Sequence, residues 1–403
     1  MPLFPARHRP LCLLVLLLAA APLVRAEPAK PSPLPLDAMK NMAAAFGLIR
    51  SDYVTAVDGD RLIASCTKGM FKELDPASAY LDGESLADLR GRRGSDVGIG
   101  VELTLRAGLP TVAAALEGSP ADRAGLRPRD YILEIDGESM EETTLEQALA
   151  RLRGKPGSEL TLTVRRPGDP ASRTVTVTRA ATEVKPVFAR RWGADLGYLR
   201  VRSLREGTPR EVHAAVLGLQ QSRPLKGLVV DLRNSPGGLL QSAIEIAAMF
   251  LPDQAVVVRT DGRLPESNQT YTADRAVLLK AAKGAPEAWY DTWTTMPVVV
   301  LVDGGTASGA EIIAAALRDN GRARLLGSRT FGRGSIQTLR MISPDSAVKL
   351  TTALYRTPGG QQLQGRGLIP DETLPDLERL DQAGTDKDPL LLRAATLLDP
   401  TGR

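Results

Sequence analysis

The 403-residue chain is poor in the residues that most often bind metals or form cross-links, since it has two cysteines and two histidines. Cys12 and His8 lie within residues 1–26, so Cys66 and His213 are the only cysteine and histidine in the remainder. One cysteine cannot form an internal disulfide. One cysteine and one histidine cannot supply the usual nitrogen and sulfur ligands of a metal site. The sequence predicts no disulfide, no metal and no other cofactor.

The scarcity of histidine also limits the catalytic chemistry. A Ser-His-Asp triad would depend entirely on His213, which lies in a predicted helix of mixed polarity. A lone histidine on a helix is more often a surface or packing residue than a catalytic base. A nucleophilic serine in this chain therefore needs another base, and lysine is the known substitute.

The chain also lacks a large excess of positive or negative charge. Without the three arginines of residues 1–26, the remaining 48 basic side chains nearly balance 47 acidic ones. A balanced surface argues against a nucleic-acid partner.

Residues 1–26 have the composition of a secretory leader. A basic start with Arg7, His8 and Arg9 precedes the apolar run Leu11–Leu23 and the small-residue site Val24-Arg25-Ala26. An uncleaved anchor is the alternative, but the apolar run is short for a membrane span. We predict a cleaved signal peptide and export to a bacterial periplasm or envelope.

Residues 27–96 read as a proline-rich lead-in, to residue 36, and then a helical segment from Leu36 to Leu89. Apolar residues recur there at helical spacing: Met39, Met42, Phe46, Ile49, Leu62, Cys66, Met70 and Leu74. This face is a candidate packing or subunit contact. Arg90–Gly94 reads as a basic, glycine-containing hinge.

Residues 97–180 have the order of a compact β-rich module. It opens with Gly98-Ile99-Gly100-Val101, has a helix at Leu145–Leu152, and continues with the alternating strand Leu160–Val164. This order resembles a bacterial PDZ domain. The resemblance implies that the backbone N–H groups of the Gly98–Val101 loop hold the carboxylate of a peptide that adds a strand to the sheet. An ordinary turn is the alternative for Gly98 and Gly100 alone.

Residues 181–371 alternate between strand and helix, which predicts an α/β core. The predicted elements are strands at 196–201, 227–232, 298–302, 323–326 and 349–355, and helices at 209–219, 239–250 and from 311. Residues 253–296 break the rhythm and hold Trp289 and Trp293, so we predict an insertion or lid-like loop. Residues 372–403 form a C-terminal tail that is amphipathic over Leu390–Leu398.

One stretch of this core has the layout of a site. The buried strand Val298–Val302 is followed by Gly304-Gly305, then by Ser308 and a helix. This places a hydroxyl at the carboxyl end of a strand and at a helix N-terminus. The alternative is a capping box, in which Ser308 and Glu311 satisfy N–H groups of the first helical turn.

Ordered motifs along most of the chain resemble the carboxyl-terminal processing peptidases, or tail-specific proteases. These motifs are Leu74–Asp82, Gly197–Arg200, Asp231–Leu240, Leu350–Ala353 and Gly365–Asp371, with the PDZ-like module between the first two. The resemblance implies a multidomain α+β fold: a helical N-terminal segment, a PDZ domain and an α/β core of the crotonase/ClpP-like type.

The resemblance also assigns roles to residues of this chain. The family's nucleophile falls on Ser308, and its oxyanion hole on the N–H groups of Gly309 and of the Gly237-Gly238 turn. Gln337 takes the position of the glutamine that orients the base. The base is a lysine in the family, and that position is Arg333 here.

Arginine and lysine differ in kind at this position. Burial can lower the pKa of a lysine enough for the neutral amine to accept a serine proton. A guanidinium has a reference pKa of about 12.5–13.8, so its neutral fraction at pH 7 is on the order of 10⁻⁶. Lys349, before a core strand, is a candidate alternative base; a surface charge at a strand end is the other interpretation.

The resemblance therefore implies a periplasmic serine endopeptidase that processes or degrades proteins from their C-terminal tails. The PDZ domain would bind the substrate C-terminus and gate the activity. The alternative is a catalytically impaired relative that binds peptides or acts as a scaffold. The implied partners are unstructured protein C-termini, further copies of the chain and a helical-repeat lipoprotein adaptor, with no nucleic acid.

Overall fold

The structure is a computed structural model that describes residues 34–83, 85–87, 97–141, 143–182, 184–282, 288–375 and 382–399. The predicted leader and the predicted hinge at Arg90–Gly94 lie outside the described residues, as does most of the lead-in. Within these ranges, no helix has both the length and the apolar character needed to cross a membrane.

The N-terminal segment contains two helices, α1 (Leu36–Asp52) and α2 (Gly59–Lys72). Helix α2 begins where the Asp58 carboxylate accepts hydrogen bonds from two N–H groups of the first turn. Helix α1 has no buried residue, so its predicted apolar face is exposed. Both helices confirm the helical prediction for this part of the segment.

The predicted continuation of helix toward Leu89 is wrong for the residues just after α2. The Asp75 carboxylate accepts from the N–H groups of Ala77 (2.9 Å) and Ser78 (3.1 Å), a local turn that competes with helix. The chain then forms strand β1 (Ala79–Leu81), which pairs with a strand of the core.

The second unit is a β-rich domain with its own apolar core. Its elements are β2 (Val97–Gly98), β3 (Val101–Arg106), β4 (Leu109–Ala115), α3 (Pro120–Arg123), β5 (Tyr131–Ile135), β6 (Glu138–Ser139), α4 (Leu145–Leu152), β7 (Glu159–Arg165), β8 (Arg173–Thr178) and β9 (Ala180–Ala181). The main sheet has the order β3-β4-β5-β7-β8, so β3 is an edge strand. Helix α4 packs against β3 and starts with a capping box of Thr144 and Gln147.

The third unit contains two sheets and their helices. Its first part comprises β10 (Val187–Trp192), β11 (Leu196–Val201), α5 (Thr208–Gln220), β12 (Gly227–Asp231), α6 (Leu240–Ala248), β13 (Val256–Gly262), β14 (Thr270–Thr272), α7 (Arg275–Ala281) and α8 (Ala288–Thr295). The rest comprises β15 (Val298–Val302), α9 (Gly309–Asp319), β16 (Ala323–Gly327), β17 (Ser335–Ser343), β18 (Ser346–Arg356), β19 (Glu372–Thr373) and α10 (Pro389–Leu398).

The central sheet has the order β10-β11-β12-β15-β16-β19, and all of its pairs after β10 are parallel. Strand β15 is buried on both faces. Val300 packs with the helices α6 and α9, whereas Val299 and Leu301 pack against α10. This is why the strand reads as a continuous apolar run rather than an alternating one. The carboxyl ends of β12 and β15 therefore meet at one edge.

The prediction of an insertion or lid-like loop at 253–296 is wrong. Strand β13 pairs with β18 and β14, and helices α7 and α8 follow. Trp289 and Trp293 are buried, and Trp293 stacks on Phe250 with ring centroids 5.7 Å apart. The short antiparallel strands lack the rhythm of the core, so the sequence pattern did not show them.

His213 on α5 packs edge-on against Trp289, with ring centroids 4.6 Å apart. Burial lowers the pKa of this imidazole. The structure thus confirms the interpretation of His213 as a packing residue.

A buried ion cluster joins α10 to the turn after β12. Arg233 donates to Asp231 Oδ2 (2.6 Å) and to Asp388 Oδ2 (2.5 Å), and all three side chains are buried. Asp388 also caps α10 by accepting from two of its first N–H groups. Burial raises the pKa of Asp231, but Arg233 overcomes that effect and holds the pKa at about 2, below the ordinary 3.8.

We expect this cluster to make the fold acid-sensitive. A depressed carboxyl pKa contributes stability above pH about 4 that is lost as the pH falls toward about 2. Asp231→Asn should lower the melting temperature near neutral pH and flatten its decline in acid. Melting followed by circular dichroism, with exposed Asp169→Asn as control, measures both effects. An acid decline in Asp231→Asn as steep as in the wild type would contradict this assignment.

Candidate active site

The turn after β15 is built around one carboxylate. Asp303 Oδ1 accepts from the N–H groups of Gly305 (2.9 Å) and Thr306 (3.0 Å). It also accepts from the N–H of Asn234 (2.8 Å), which lies in the turn after β12. These bonds fold the chain back at the strand end and join the two neighbouring turns.

Ser308 follows this turn in a strained conformation, with φ +52° and ψ −120°. A positive φ is uncommon for a residue other than glycine, and a helix N-cap normally has an extended backbone. Such strain persists where the surroundings enforce it, and it clusters at active sites. A serine on a sharp turn between a strand and a helix is typical of a nucleophile elbow.

Glu311 holds this elbow to a distant loop. Its Oε2 accepts from the N–H of Ser308 (3.0 Å), which is the carboxylate half of the predicted capping box. The same oxygen accepts from the N–H of Arg333 (2.9 Å), while Oε1 accepts from the N–H of Gly332 (2.8 Å) and from the Thr330 hydroxyl. Burial raises the pKa of this carboxyl, and the four donors oppose that effect.

The Gly237-Gly238 turn lies directly against the elbow. Gly237 has φ +84°, and a Cβ there would lie 2.5 Å from the Ala307 oxygen and 2.6 Å from the Gly309 nitrogen. Gly238 has φ +143°, and a Cβ there would lie 2.1 Å from the Leu204 oxygen. Only glycine fits such approaches, so the turn needs both glycines.

Two N–H groups beside Ser308 are available for a ligand. Among the described residues, no group accepts a hydrogen bond from the backbone N–H of Gly238 or of Gly309. The Gly309 N–H is also at the start of α9, where the helix dipole favours negative charge. The structure thus brings together Ser308, Gly237, Gly238 and Gly309 as a nucleophile with oxyanion donors would require.

The Arg333 guanidinium is hydrogen-bonded to the β-rich domain and not to Ser308. Its side chain is half-buried, and its Nη2 donates to the Leu103 carbonyl (3.1 Å) on strand β3 of the β-rich domain. Burial lowers the pKa of the guanidinium, and the nearby charges of Glu102 and Glu311 oppose that effect.

Gln337 and Lys349 lie on the hairpin β17–β18. Gln337 is exposed, and its amide donates to Ser335 Oγ (3.1 Å) and Thr351 Oγ1 (2.9 Å). In the described part of the chain, no hydrogen bond joins Gln337 to Ser308 or Arg333. Lys349 lies within β18 and forms a 2.5 Å ion pair with Glu146 of α4. This ion pair leaves Lys349 without support as a base.

The Gly98–Val101 loop joins β2 to β3 through a turn at Gly100. Gly100 has φ +72°, and a Cβ there would lie 2.3 Å from the Ser119 Cβ. The Ile99 side chain is buried, and the Ile99 carbonyl accepts from the N–H of Ala121 (2.8 Å). Among the described residues, and apart from bonds within the sheets, the Gly100 N–H donates to no backbone carbonyl.

Several contacts between the β-rich domain and the loop at 329–333 were not found from the sequence. Arg106 lies over the Phe331 ring (4.1 Å) and donates to the Phe331 carbonyl (2.5 Å). Arg129 donates to the Thr330 carbonyl (3.1 Å). These partners lie far apart in the chain, and no local pattern could have paired them.

Two further contacts were missed for the same reason. The Asn234 amide donates to the Ala115 carbonyl at the end of β4. Ala113, Ala307 and Phe331 form a small buried cluster. In the described ranges, no group of three or more histidine, cysteine or acidic side chains is arranged to hold a metal.

Replacing Glu311 with Gln should loosen both segments that the carboxylate holds. The amide nitrogen cannot accept, so at least one N–H loses its partner, at a cost of about 1–3 kcal/mol. We expect Glu311→Gln to lower the melting temperature by several degrees. Differential scanning fluorimetry against the exposed Glu206→Gln measures this, and equal melting of the two variants would contradict it.

Comparison with known proteins agrees with this geometry. The chain matches Peptidase family S41 over residues 195–374 and the PDZ domain over residues 111–166. It is 37% identical over 330 residues to the carboxy-terminal-processing protease of Bartonella bacilliformis, covering 81% of this chain and 72% of that protein. It is 32% identical over 347 residues to the carboxy-terminal processing protease CtpA of Bacillus subtilis, covering 85% and 71%.

A solved structure also matches. The photosystem II D1 C-terminal processing protease has a TM-score of 0.69 and 28% identity, over 83% of this chain and 92% of that one. The comparisons confirm the predicted family, and they confirm a PDZ domain followed by a protease core. The chain belongs to the carboxy-terminal-processing proteases, serine-type peptidases of family S41.

Proposed function

We propose that this chain is an exported endopeptidase that acts on proteins from their C-terminal tails, with Ser308 as the nucleophile. The observation that carries the proposal is the strained Ser308 elbow, with the unpaired N–H groups of Gly238 and Gly309 beside it. Those N–H groups would hold the oxyanion formed when the Ser308 oxygen attacks a peptide carbonyl.

The PDZ domain supplies the proposed substrate site. Strand β3 is an edge strand with α4 beside it, and the Gly98–Val101 loop lies at its start. A substrate C-terminus would pair with β3, and its terminal carboxylate would lie at the loop. The chain upstream of that terminus would then pass toward Arg106 and the loop at 329–333.

Removal of the Ser308 hydroxyl proton is the slow step that we expect in this mechanism. Arg333 takes the place of the lysine base and stays protonated. Among the described residues, no lysine or histidine hydrogen-bonds to Ser308. Attack would therefore release the serine proton to water, and we expect turnover that is slow and dependent on the oxyanion donors.

Arg333 favours a second candidate function. Its hydrogen bond to Leu103 ties the base position to the strand that would receive a peptide. A peptide that pairs with β3 competes for the same carbonyl and releases the arginine. In this second function, peptide binding changes the position of Arg333 and the peptide is not cleaved. The chain would then act as a peptide-binding or scaffold relative of the proteases.

The remaining parts of the proposal rest on other features. Export to the periplasm rests on the leader composition of residues 1–26. Assembly of several copies is supported by the exposed apolar side chains of α1, among them Met39 and Met42. A helical-repeat lipoprotein adaptor remains a proposal from the family resemblance.

An assay of casein turnover separates the two functions. The wild type should cleave slowly, and Ser308→Ala should abolish cleavage because it removes the nucleophile. Arg333→Lys should cleave faster, by about 10²–10⁴-fold, because a lysine can act as general base. The exposed Ser172→Ala variant serves as the matched control.

Cleavage by Arg333→Lys alone, with none by the wild type, would favour the peptide-binding function. Wild-type cleavage that survives in Ser308→Ala would contradict the nucleophile assignment.

A further inference from the structure

Three arginines lie between the PDZ domain and the loop at 329–333 and form no salt bridge with a carboxylate among the described residues. Arg106, Arg129 and Arg333 are all half-buried, and none of them forms a salt bridge among the described residues. Their donors reach main-chain carbonyls instead: those of Phe331, Thr330 and Leu103. Carbonyls satisfy donors but do not neutralise charge.

Two of the other buried arginines of this chain are paired with carboxylates, whereas buried Arg179 donates to main-chain carbonyls and to Ser158 Oγ. Arg200 lies 3.2 Å from Glu117, and Arg233 lies between two aspartates. The pairing of buried cations is the general rule, because an uncompensated charge away from water is costly. The three arginines at the interface share with Arg179 the absence of a salt bridge, and they differ from it in lying together beside one loop.

The arginines also act on one another. Burial lowers the pKa of Arg106, and the charges of Arg129 and Arg333 lower it further, whereas Tyr131 and Glu311 oppose that effect. Nε of Arg129 is buried and has no hydrogen-bond partner among the described residues. Glu102 and Glu311 are the carboxylates near the cluster, and the Glu311 oxygens already accept from four other donors. Three guanidinium groups and an unused donor therefore favour an anionic ligand.

The position of the cluster indicates where this anion comes from. Arg106 belongs to β3, and Arg333 bonds to Leu103 of the same strand. A peptide that pairs antiparallel to β3 advances about 3.4 Å per residue from its terminus at the Gly98–Val101 loop. Its residues about two to five places before the terminus would then lie beside Leu103 and Arg106.

We propose that Arg106, Arg129 and Arg333 form a carboxylate-binding site, and that it takes an acidic side chain located upstream of the C-terminus of a bound peptide. The site selects substrates or ligands with an aspartate or glutamate near their tail. The proposal rests on the peptide-binding part of the proposed function and is independent of turnover.

The same arrangement explains what an arginine contributes at the base position. A peptide that takes the Leu103 carbonyl leaves Arg333 without its acceptor. A peptide carboxylate can accept two parallel N–H bonds from a guanidinium, which a lysine cannot reproduce. Acidic peptides would therefore offset the loss of the bond to Leu103, and neutral ones would not.

Fluorescence anisotropy with labelled peptides tests this site. One peptide has an apolar C-terminus and a glutamate at the third position from the end. A second has glutamine there, and a third is the C-terminal amide of the first. In the full-length wild type, we expect the glutamate peptide to bind at least about 10-fold more tightly than the glutamine peptide. Added salt should reduce this preference.

The variants separate charge from fold. Arg129→Gln and Arg333→Gln should lose the preference, Arg333→Lys should keep part of it, and the exposed Arg340→Gln should keep all of it. Arg106 is left unchanged because its stacking on Phe331 also supports the interface. Melting temperatures measured in parallel show that each variant is folded.

Equal binding of the glutamate and glutamine peptides by the wild type would overturn the proposal, as would a preference that persists in both glutamine variants. A dependence on the terminal acid alone, seen only with the amide peptide, would assign the anion to the C-terminus and overturn the side-chain site. Absence of any peptide binding would overturn the peptide-binding role as well. The casein assay tests Ser308-dependent cleavage independently of this result.

Discussion

The arrangement of this site depends on the hydrogen bonds that the buried Glu311 carboxylate accepts. A carboxylate this deeply buried is costly unless hydrogen bonds compensate its charge. Here three N–H groups and one hydroxyl do so, from the Ser308 elbow and from the loop at 330–333. One side chain therefore fixes the conformation of Ser308 and the position of Arg333.

The PDZ domain is attached to the same loop. Arg106 and Arg129 hold its carbonyls, Phe331 packs between Ala113 and Ala307, and Arg333 extends back to β3. The loop is thus held by the core on one side and by the PDZ domain on the other. Three hydrogen bonds in series join β3 to Ser308: the Arg333 side chain donates to Leu103, the Arg333 N–H donates to Glu311, and the Ser308 N–H donates to Glu311.

The local features of this fold were predictable from the sequence. A continuous apolar run predicted the buried strand at 298–302, and the glycines after it and at 237–238 indicated tight turns. The spacing of Ser308 and Glu311 indicated the contact that the carboxylate makes. These signals are local, because each depends on residues within a few positions of one another.

The features that the sequence did not reveal depend on pairing over long distances. The ion pair of Lys349 with Glu146 joins a core hairpin to the PDZ helix. The contact of Asp388 with Arg233 joins the last helix to the turn that carries Gly237. The described residues of 253–282 and 288–296 include strands and helices because β18 and the aromatic cluster around Trp293 provide their partners. None of these pairings leaves a periodic pattern in the chain.

Hydrogen–deuterium exchange of the full-length protein tests most directly whether Glu311 joins the elbow and the loop into one unit. We expect residues 306–311 and 330–333 to exchange at similar slow rates, and both to exchange faster together when a C-terminal peptide binds. Exchange of the loop at an independent rate, with the elbow unaffected by peptide, would contradict this expectation.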